Sequence, residues 1–313
     1  MTTHTLPTKA VSTVDSRRAA RRRGDRTGWL FASPALIVLV ALTVGPTLYL
    51  LLSSFSRVEL FGGQSEFVGL GNFAAVLTDP EILSSLLATL VFVVVAVSLQ
   101  MLLGLGLAIP LSAKVRGSGP AAALMLLPFA VAPAVSALLF RQLVNPNYGW
   151  VNHYLGALGV IPADLDWLGR PATAWLTVLG LDVWQWTPFV ALILMAGLQS
   201  LSPEVLEAAE IDGASRWQAF RHVTLPMLTP FLGIALVLRT IQAFKTFDSF
   251  QVLTRGGPGN STEIVNLAIY RIALQSFRIG AAAAVGLLLL VLLLALTPVL
   301  LRLVGRRGDN EEA

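Results

Sequence analysis

Six apolar runs, each long enough to cross a bilayer, constrain this chain more than any other feature. They cover about 29–54, 86–111, 121–144, 173–199, 226–252 and 281–304. A helix needs about 20 apolar residues to span the hydrocarbon core. Backbone in lipid must satisfy its own hydrogen bonds, so such runs cross as helices. Composition agrees: 13% of the 313 residues are charged, against about 25% in soluble domains. The expected architecture is an all-α membrane protein of six transmembrane helices. A basic tail, 1–28, precedes the transmembrane domain at 29–305, and a short tail, 306–313, follows it.

Lysine and arginine set the orientation. With the N-terminus inside, fourteen fall on inner segments: Lys9, six arginines in RRAARRRGDR (Arg17 to Arg26), Lys114, Arg116, Arg216, Arg221, Arg302, Arg306 and Arg307. Six fall on outer segments, and Arg239 and Lys245 lie within the fifth run. The bias predicts both termini on the cytoplasmic side. The basic block before the first run then reads as a topology determinant, and no nucleic-acid partner is expected. The surrounding partner is membrane lipid.

Much catalytic chemistry is excluded. With no cysteine, disulfides and thiolate sites are ruled out. The only lysines, Lys9, Lys114 and Lys245, sit in no GxxxxGK[ST] loop, so the chain has no recognisable ATPase site. His4, His153 and His222 are scattered, which gives no metal site. The chain reads as a non-enzyme.

Polar residues inside the apolar runs need an explanation, because a charge at mid-membrane costs roughly 2.5–3.5 kcal/mol on insertion scales. Asp182, Gln185 and Trp186 lie in the fourth run; Arg239, Gln242, Lys245 and Asp248 lie in the fifth. Arg239, Gln242 and Thr246 are spaced to share one helix face. These residues form either a polar, aromatic-lined path for a hydrophilic solute or, for Asp182 with Arg239, an interhelical ion pair that fixes packing. Lys245 and Asp248 lie nearer the outer end. Pro46, Gly104, Gly106, Pro128, Pro133, Pro188 and Pro298 interrupt the runs, which suits a bundle that moves or lines a cavity.

Between the fourth and fifth runs lies SPEVLEAAEIDGASRWQAFRHVTLP, Ser202 to Pro226. Ser202 is suited to cap a helix that Pro203 opens. Gly213 is a natural stop, and Ser215 with Gln218 forms a capping box for a second helix. A helix–glycine–helix elbow is predicted on the cytoplasmic face.

That elbow carries a family resemblance. Glu207-Ala208-Ala209, Gly213, Val223 and Leu225-Pro226 resemble the EAA loop of permease subunits in binding-protein-dependent ABC importers; Val223 stands where the family has Ile. FVGLGNF (Phe67 to Phe73), WQWTPF (Trp184 to Phe189), LRTIQAFKTFDSFQVLT (Leu238 to Thr254) and GGPGNSTE resemble the carbohydrate-uptake, MalF/UgpA-like branch. The resemblance runs from the first span onward and leaves out the arginine-rich tail. It implies a MetI-like bundle in the cytoplasmic (inner) membrane, its first helix wrapped around the other five. It implies half of a translocation pathway for a mono- or oligosaccharide or a polyol, with ATPase coupling through Glu207, Ala208, Ala209, Gly213, Val223, Leu225 and Pro226. The implied partners are a second six-helix permease, as a heterodimer with a homodimer left open, two cytosolic ATPases that bind ATP and Mg, and an extracytoplasmic solute-binding protein. No cofactor is expected in this chain. A glycerophosphodiester-type solute is the alternative within this class, and an ion-driven secondary transporter the alternative outside it.

Overall fold

A computed structural model describes residues 12–59, 65–112, 118–162 and 164–308, with the side chains of 12–30, 118, 206 and 303–308 outside the description. Lys9, Lys114 and Arg116, three of the orientation residues, lie outside the described residues. So do the side chains of Arg17 to Arg26, Arg306 and Arg307. The chain is mostly helical and divides into two units, 1–52 and 53–313.

The described residues of the first unit lie in α1 (Ser12–Ser54), which contains Pro34 and Pro46 and whose last two residues belong to the second unit. Its helix continues without a break through the segment assigned to the basic tail, so the boundary at residue 28 marks no change of backbone conformation.

The second unit opens with a two-stranded antiparallel pair, β1 (Ser56–Arg57) and β2 (Glu66–Phe67). Then come α2 (Gly71–Thr78), α3 (Pro80–Ser112), α4 (Ser118–Met125), α5 (Leu127–Ala130), α6 (Pro133–Leu143), α7 (Trp150–Ala157) and α8 (Pro171–Ser200). The elbow holds α9 (Pro203–Ile211) and α10 (Arg216–Ala219), a widened π-helical turn at Phe220–Thr224, and α11 (Leu225–Met227). The chain ends with α12 (Thr229–Phe244), α13 (Asp248–Leu253), α14 (Val265–Tyr270) and α15 (Ile279–Gly308).

Four described helical stretches are long and apolar enough to cross a membrane: Phe31–Ser54, Pro80–Ser112, Pro171–Ser200 and Ile279–Arg302. The other two predicted runs depart from single helices. The third, expected over 121–144, is three short helices, α4 to α6. Proline accounts for part of this: Pro128 and Pro133 donate no backbone hydrogen bond, and Pro133 also pushes the residue before it out of the α region. Ala132, before Pro133, is accordingly extended at ψ 136°. The fifth, expected over 226–252, is bent by 62° at Leu228, between Pro226 and Pro230, and stops again at Phe244 before α13.

Breaks at membrane depth leave carbonyls without helical partners, and these must be satisfied by protein. Side-chain amides do this at one break in each run. Gln185 Nε2 donates to the Val131 carbonyl at 2.8 Å, in the gap between α5 and α6. Asn266 Nδ2 donates to the Phe244 and Thr246 carbonyls, each at 2.8 Å, in the gap between α12 and α13.

Two glycines set the helix approaches. A Cβ on Gly104 of α3 would lie 2.7 Å from Val190 Cγ1 of α8. One on Gly197 of α8 would lie 2.5 Å from the Phe231 ring. The core that α3, α8, α12 and α13 build centres on Phe92, Leu181, Phe244 and Phe250. Phe250 meets the Phe92 ring edge-on at 4.9 Å.

Candidate functional site

The elbow follows its sequence signals closely. Ser202 occupies the N-cap position of α9, but its hydroxyl contacts the Glu204 carboxylate rather than a backbone N–H. That contact holds the Glu204 carboxyl below its ordinary range. Gly213 is left-handed at φ +80°. Around it the Asp212, Gly213 and Ala214 N–H groups donate back to the Ala208, Glu210 and Ala209 carbonyls, a closure that favours glycine. The capping box forms: Gln218 N–H donates to Ser215 Oγ at 3.4 Å and Ser215 N–H to Gln218 Oε1 at 2.8 Å. Glu207 and Ala208 are exposed, and Ala209 is half-buried. Val223, Leu225 and Pro226 are half-buried and root the elbow below. Ile211, 86% exposed, and Trp217 project from it. Asp212, Gly213, Gln218, His222 and Val223 line a hollow of about 360 Å³. Such a surface, with apolar tips beside a small-residue concavity, suits a protein partner.

The intramembrane residues separate into two groups. Asp182 of α8 and Arg239 of α12 form an ion pair, joined by Gln100 of α3. Gln100 Nε2 donates to Asp182 Oδ2 at 2.8 Å and to its carbonyl at 3.0 Å. Arg239 Nε donates to Gln100 Oε1 at 2.5 Å. All three side chains are buried. The guanidinium faces Trp186, 5.0 Å from the ring centroid, a cation–π distance. Trp186 in turn meets Phe129 and Phe189 at 5.6 and 6.1 Å. Gln185 is also buried, and its Oε1 has no partner among the described residues.

Gln242, Lys245 and Asp248 are exposed. Gln242 therefore does not share the face of Arg239, as its spacing predicted. Three helical residues turn through about 300°, so the two lie about 60° apart, enough here to put one in the core and the other outside. Ile234, Leu238, Gln242 and Lys245 form the exposed stripe of α12. Thr246 lies beyond the helix end.

The description "Binding-protein-dependent transport system inner membrane component" belongs to the family profile that matches residues 68–309. The chain belongs to that family. It is 39% identical over 285 residues to the trehalose/maltose transport system permease protein MalF of Thermococcus litoralis, covering 91% of this chain and 95% of that protein. It is 35% identical over 280 residues to the sn-glycerol-3-phosphate transport system permease protein UgpA of Agrobacterium fabrum, covering 89% and 94%. A chain from a bacterial ABC transporter that imports the acidic polysaccharide alginate shares the fold, with a TM-score of 0.78 at 21% identity, covering 93% of this chain and 99% of that one.

In this inner membrane component the other quoted motifs act as staples. Asn72 of FVGLGNF donates through Nδ2 to the Ser54 and Ser56 carbonyls, both at 2.9 Å. In GGPGNSTE, Thr262 Oγ1 lies 2.7 Å from both the Gly257 carbonyl and Thr254 Oγ1. Trp175 Nε1 donates to the Ser261 carbonyl at 2.9 Å, fastening that turn to α8. Arg271 pairs with Glu263 at 2.8 Å and Glu81 at 3.0 Å, fastening the next segment to α3.

Sequence reasoning missed Gln100 and Asn266. Gln100 is the one long polar side chain in the second run, and that isolation was the available signal. Asn266 carried none, because its role depends on a break 20 residues away.

Proposed function

We propose that this chain is the permease subunit of an ABC importer for a neutral carbohydrate or polyol. Six crossings form half of the pathway, with the broken third and fifth runs counted as spans and both termini cytoplasmic. A second, non-identical permease supplies the other half. Two cytosolic ATPases, which bind ATP and Mg, engage the elbow through Glu207, Ala208, Ala209 and Gly213. An extracytoplasmic binding protein delivers the solute. The chain has no P-loop, so the energy must arrive through such a contact.

The observation that carries the neutral-solute reading is the state of Arg239. Its charge is matched by Asp182, its Nε by Gln100, and its face by Trp186. Arginine is the residue suited to bidentate phosphate recognition, and here its fork is already occupied. The solute is left an amide and a ring: Gln242 on the exposed stripe and the half-buried Trp186. These suit hydroxyls and sugar faces. The trehalose/maltose relative supports the same class.

Exposed Lys245 favours a second reading, an anionic glycerophosphodiester-type solute, for which the glycerol-phosphate relative speaks. ATPase stimulation of the assembled transporter with its binding protein separates the two. Trehalose, maltose, glycerol and glycerol 3-phosphate form the panel. A neutral solute should stimulate. Stimulation by glycerol 3-phosphate alone would replace the carbohydrate reading.

A further inference from the structure

The end of α8 remote from the elbow carries a frame of aromatic rings that the coupling and pathway residues leave unused. Trp150 and Tyr154 of α7 are four residues apart and share a helix face, with centroids 6.5 Å apart. His153 lies 5.3 Å from Tyr154. Tyr148 stands just before α7. Trp150 is 70% exposed, and Tyr148 and Tyr154 are exposed to a similar degree. Two hollows of about 500 and 570 Å³ open on these rings and share Tyr148 and Trp150. The first reaches past Gln142 to Trp184; Asn147, His153 and Tyr154 bound the second.

The segment that carries the rings is tied in place. Asn152, buried under α7, accepts from Trp167 Nε1 at 2.5 Å and donates to the Leu165 carbonyl at 2.8 Å. A Cβ on Gly149 would lie 2.5 Å from the Leu143 and Asn145 carbonyls, so only glycine fits this turn. The Tyr148 hydroxyl donates to Gln142 Oε1 at 2.7 Å. Aromatic residues gather at membrane interfaces simply because one end is apolar and the other wet. That tendency explains neither the frame nor the exposed amides between the rings. Rings with adjacent amides match a pyranose, whose C–H face packs on an aromatic surface while its hydroxyls need hydrogen-bond partners. The volumes lie within the range of small-molecule sites.

We propose that Tyr148, Trp150 and Tyr154, with Gln142 and Asn147 as polar partners, form a sugar-stacking subsite at the entry end of the permease. The inference rests on the carbohydrate reading above. The subsite holds arriving solute before it reaches the α8 and α12 residues, and longer saccharides cover more of it.

The test uses the complete transporter with its binding protein in proteoliposomes. Uptake of trehalose, maltose and maltotriose is measured against loaded binding protein. Trp150→Ala should raise the half-saturation value by roughly three- to tenfold, the range of a single aromatic contact, and most for maltotriose. Trp150→Phe should restore it. Recovery of the intact complex and ATPase stimulation by unloaded binding protein should stay at wild-type levels. Wild-type uptake of a sugar with unchanged Trp150→Ala and Tyr154→Ala variants overturns the subsite and leaves the carbohydrate reading standing. A loss located in complex recovery or in stimulation by unloaded binding protein also overturns it, because the rings then face a protein. If wild type takes up none of the three sugars, the carbohydrate reading fails, and the subsite fails with it.

Discussion

Asp182 and Arg239, 57 residues apart in sequence, meet as an ion pair with side chains only 2% and 1% exposed. The pair ties α8 to α12, and Gln100 ties both to α3. These three helices also build the core beside the break at 245–247. Withdrawing charges from water costs several kcal/mol per ion, and the attraction between them repays this only with further hydrogen bonds. Gln100 provides such bonds to both partners.

Removing one partner should therefore be far worse than removing both. Asp182→Ala leaves a buried, unpaired guanidinium and should destabilise by about 3–5 kcal/mol. Asp182→Leu combined with Arg239→Met should recover most of that loss. Thermal unfolding of the purified complex in detergent reads the difference. A double variant no more stable than the singles would show that the two side chains are not coupled. Gln100→Leu should cost less, because side-chain hydrogen bonds between membrane helices average about 0.6 kcal/mol.

Asn266 satisfies two carbonyls at once, and its loss strands both. Asn266→Leu should destabilise by about 1–3 kcal/mol and loosen the junction of α12 with α13. Hydrogen exchange should rise at residues 245–250 and stay level in α3. A uniform rise across the bundle would mean that Asn266 acts on global stability and not on the break.

What was legible in the sequence follows from how local each signal is. The elbow was readable residue by residue, because caps, a left-handed glycine and an opening proline act within one turn; Gly213 and the Ser215–Gln218 box stand as expected. The apolar runs were readable as membrane segments. Their continuity was not: Pro128, Pro133, Pro226 and Pro230 are as compatible with a kink as with a break, and the stop at Phe244 carries no proline at all; the amides that satisfy carbonyls at two of these breaks, Gln185 and Asn266, lie far away in sequence. The Asp182–Arg239 pair was one of two readings the residues allowed. Gln242 was assigned to the face of Arg239 because spacing gives the 60° offset between them but not where along that arc the neighbouring helices stop covering α12.

Gly213 tests the elbow. At φ +80° a side chain is strained, although nothing lies within 4 Å of its Cβ position. The cost is therefore conformational, about 1–2 kcal/mol for an ordinary residue. Gly213→Val should distort the elbow and lower solute-stimulated ATPase activity while leaving the bundle assembled. Gly213→Asn should retain most activity, because asparagine tolerates this region. Glu207→Lys, an exposed charge reversal, should lower stimulated activity without changing the unfolding temperature of the permease. Wild-type stimulation in both Gly213→Val and Glu207→Lys would remove the elbow from the coupling path.

Gln242 offers the sharpest separation of pathway from packing. It is exposed on α12, one turn from the exposed Leu238 and beside the exposed Lys245, so truncation leaves no core cavity. Gln242→Ala should leave assembly and the unfolding temperature unchanged, since surface substitutions usually stay within about 0.5 kcal/mol. It should lower sugar uptake about three- to tenfold, the value of one or two lost hydrogen bonds to a neutral solute. Lys245→Ala, tested beside it, should have little effect on a neutral sugar and a large one on a phosphate-bearing solute. Uptake rates for trehalose and glycerol 3-phosphate in the two variants decide the matter. Unchanged sugar uptake in Gln242→Ala would take this residue out of the pathway. A strong loss of trehalose uptake in Lys245→Ala would contradict a path in which amides and rings, not cations, hold the solute.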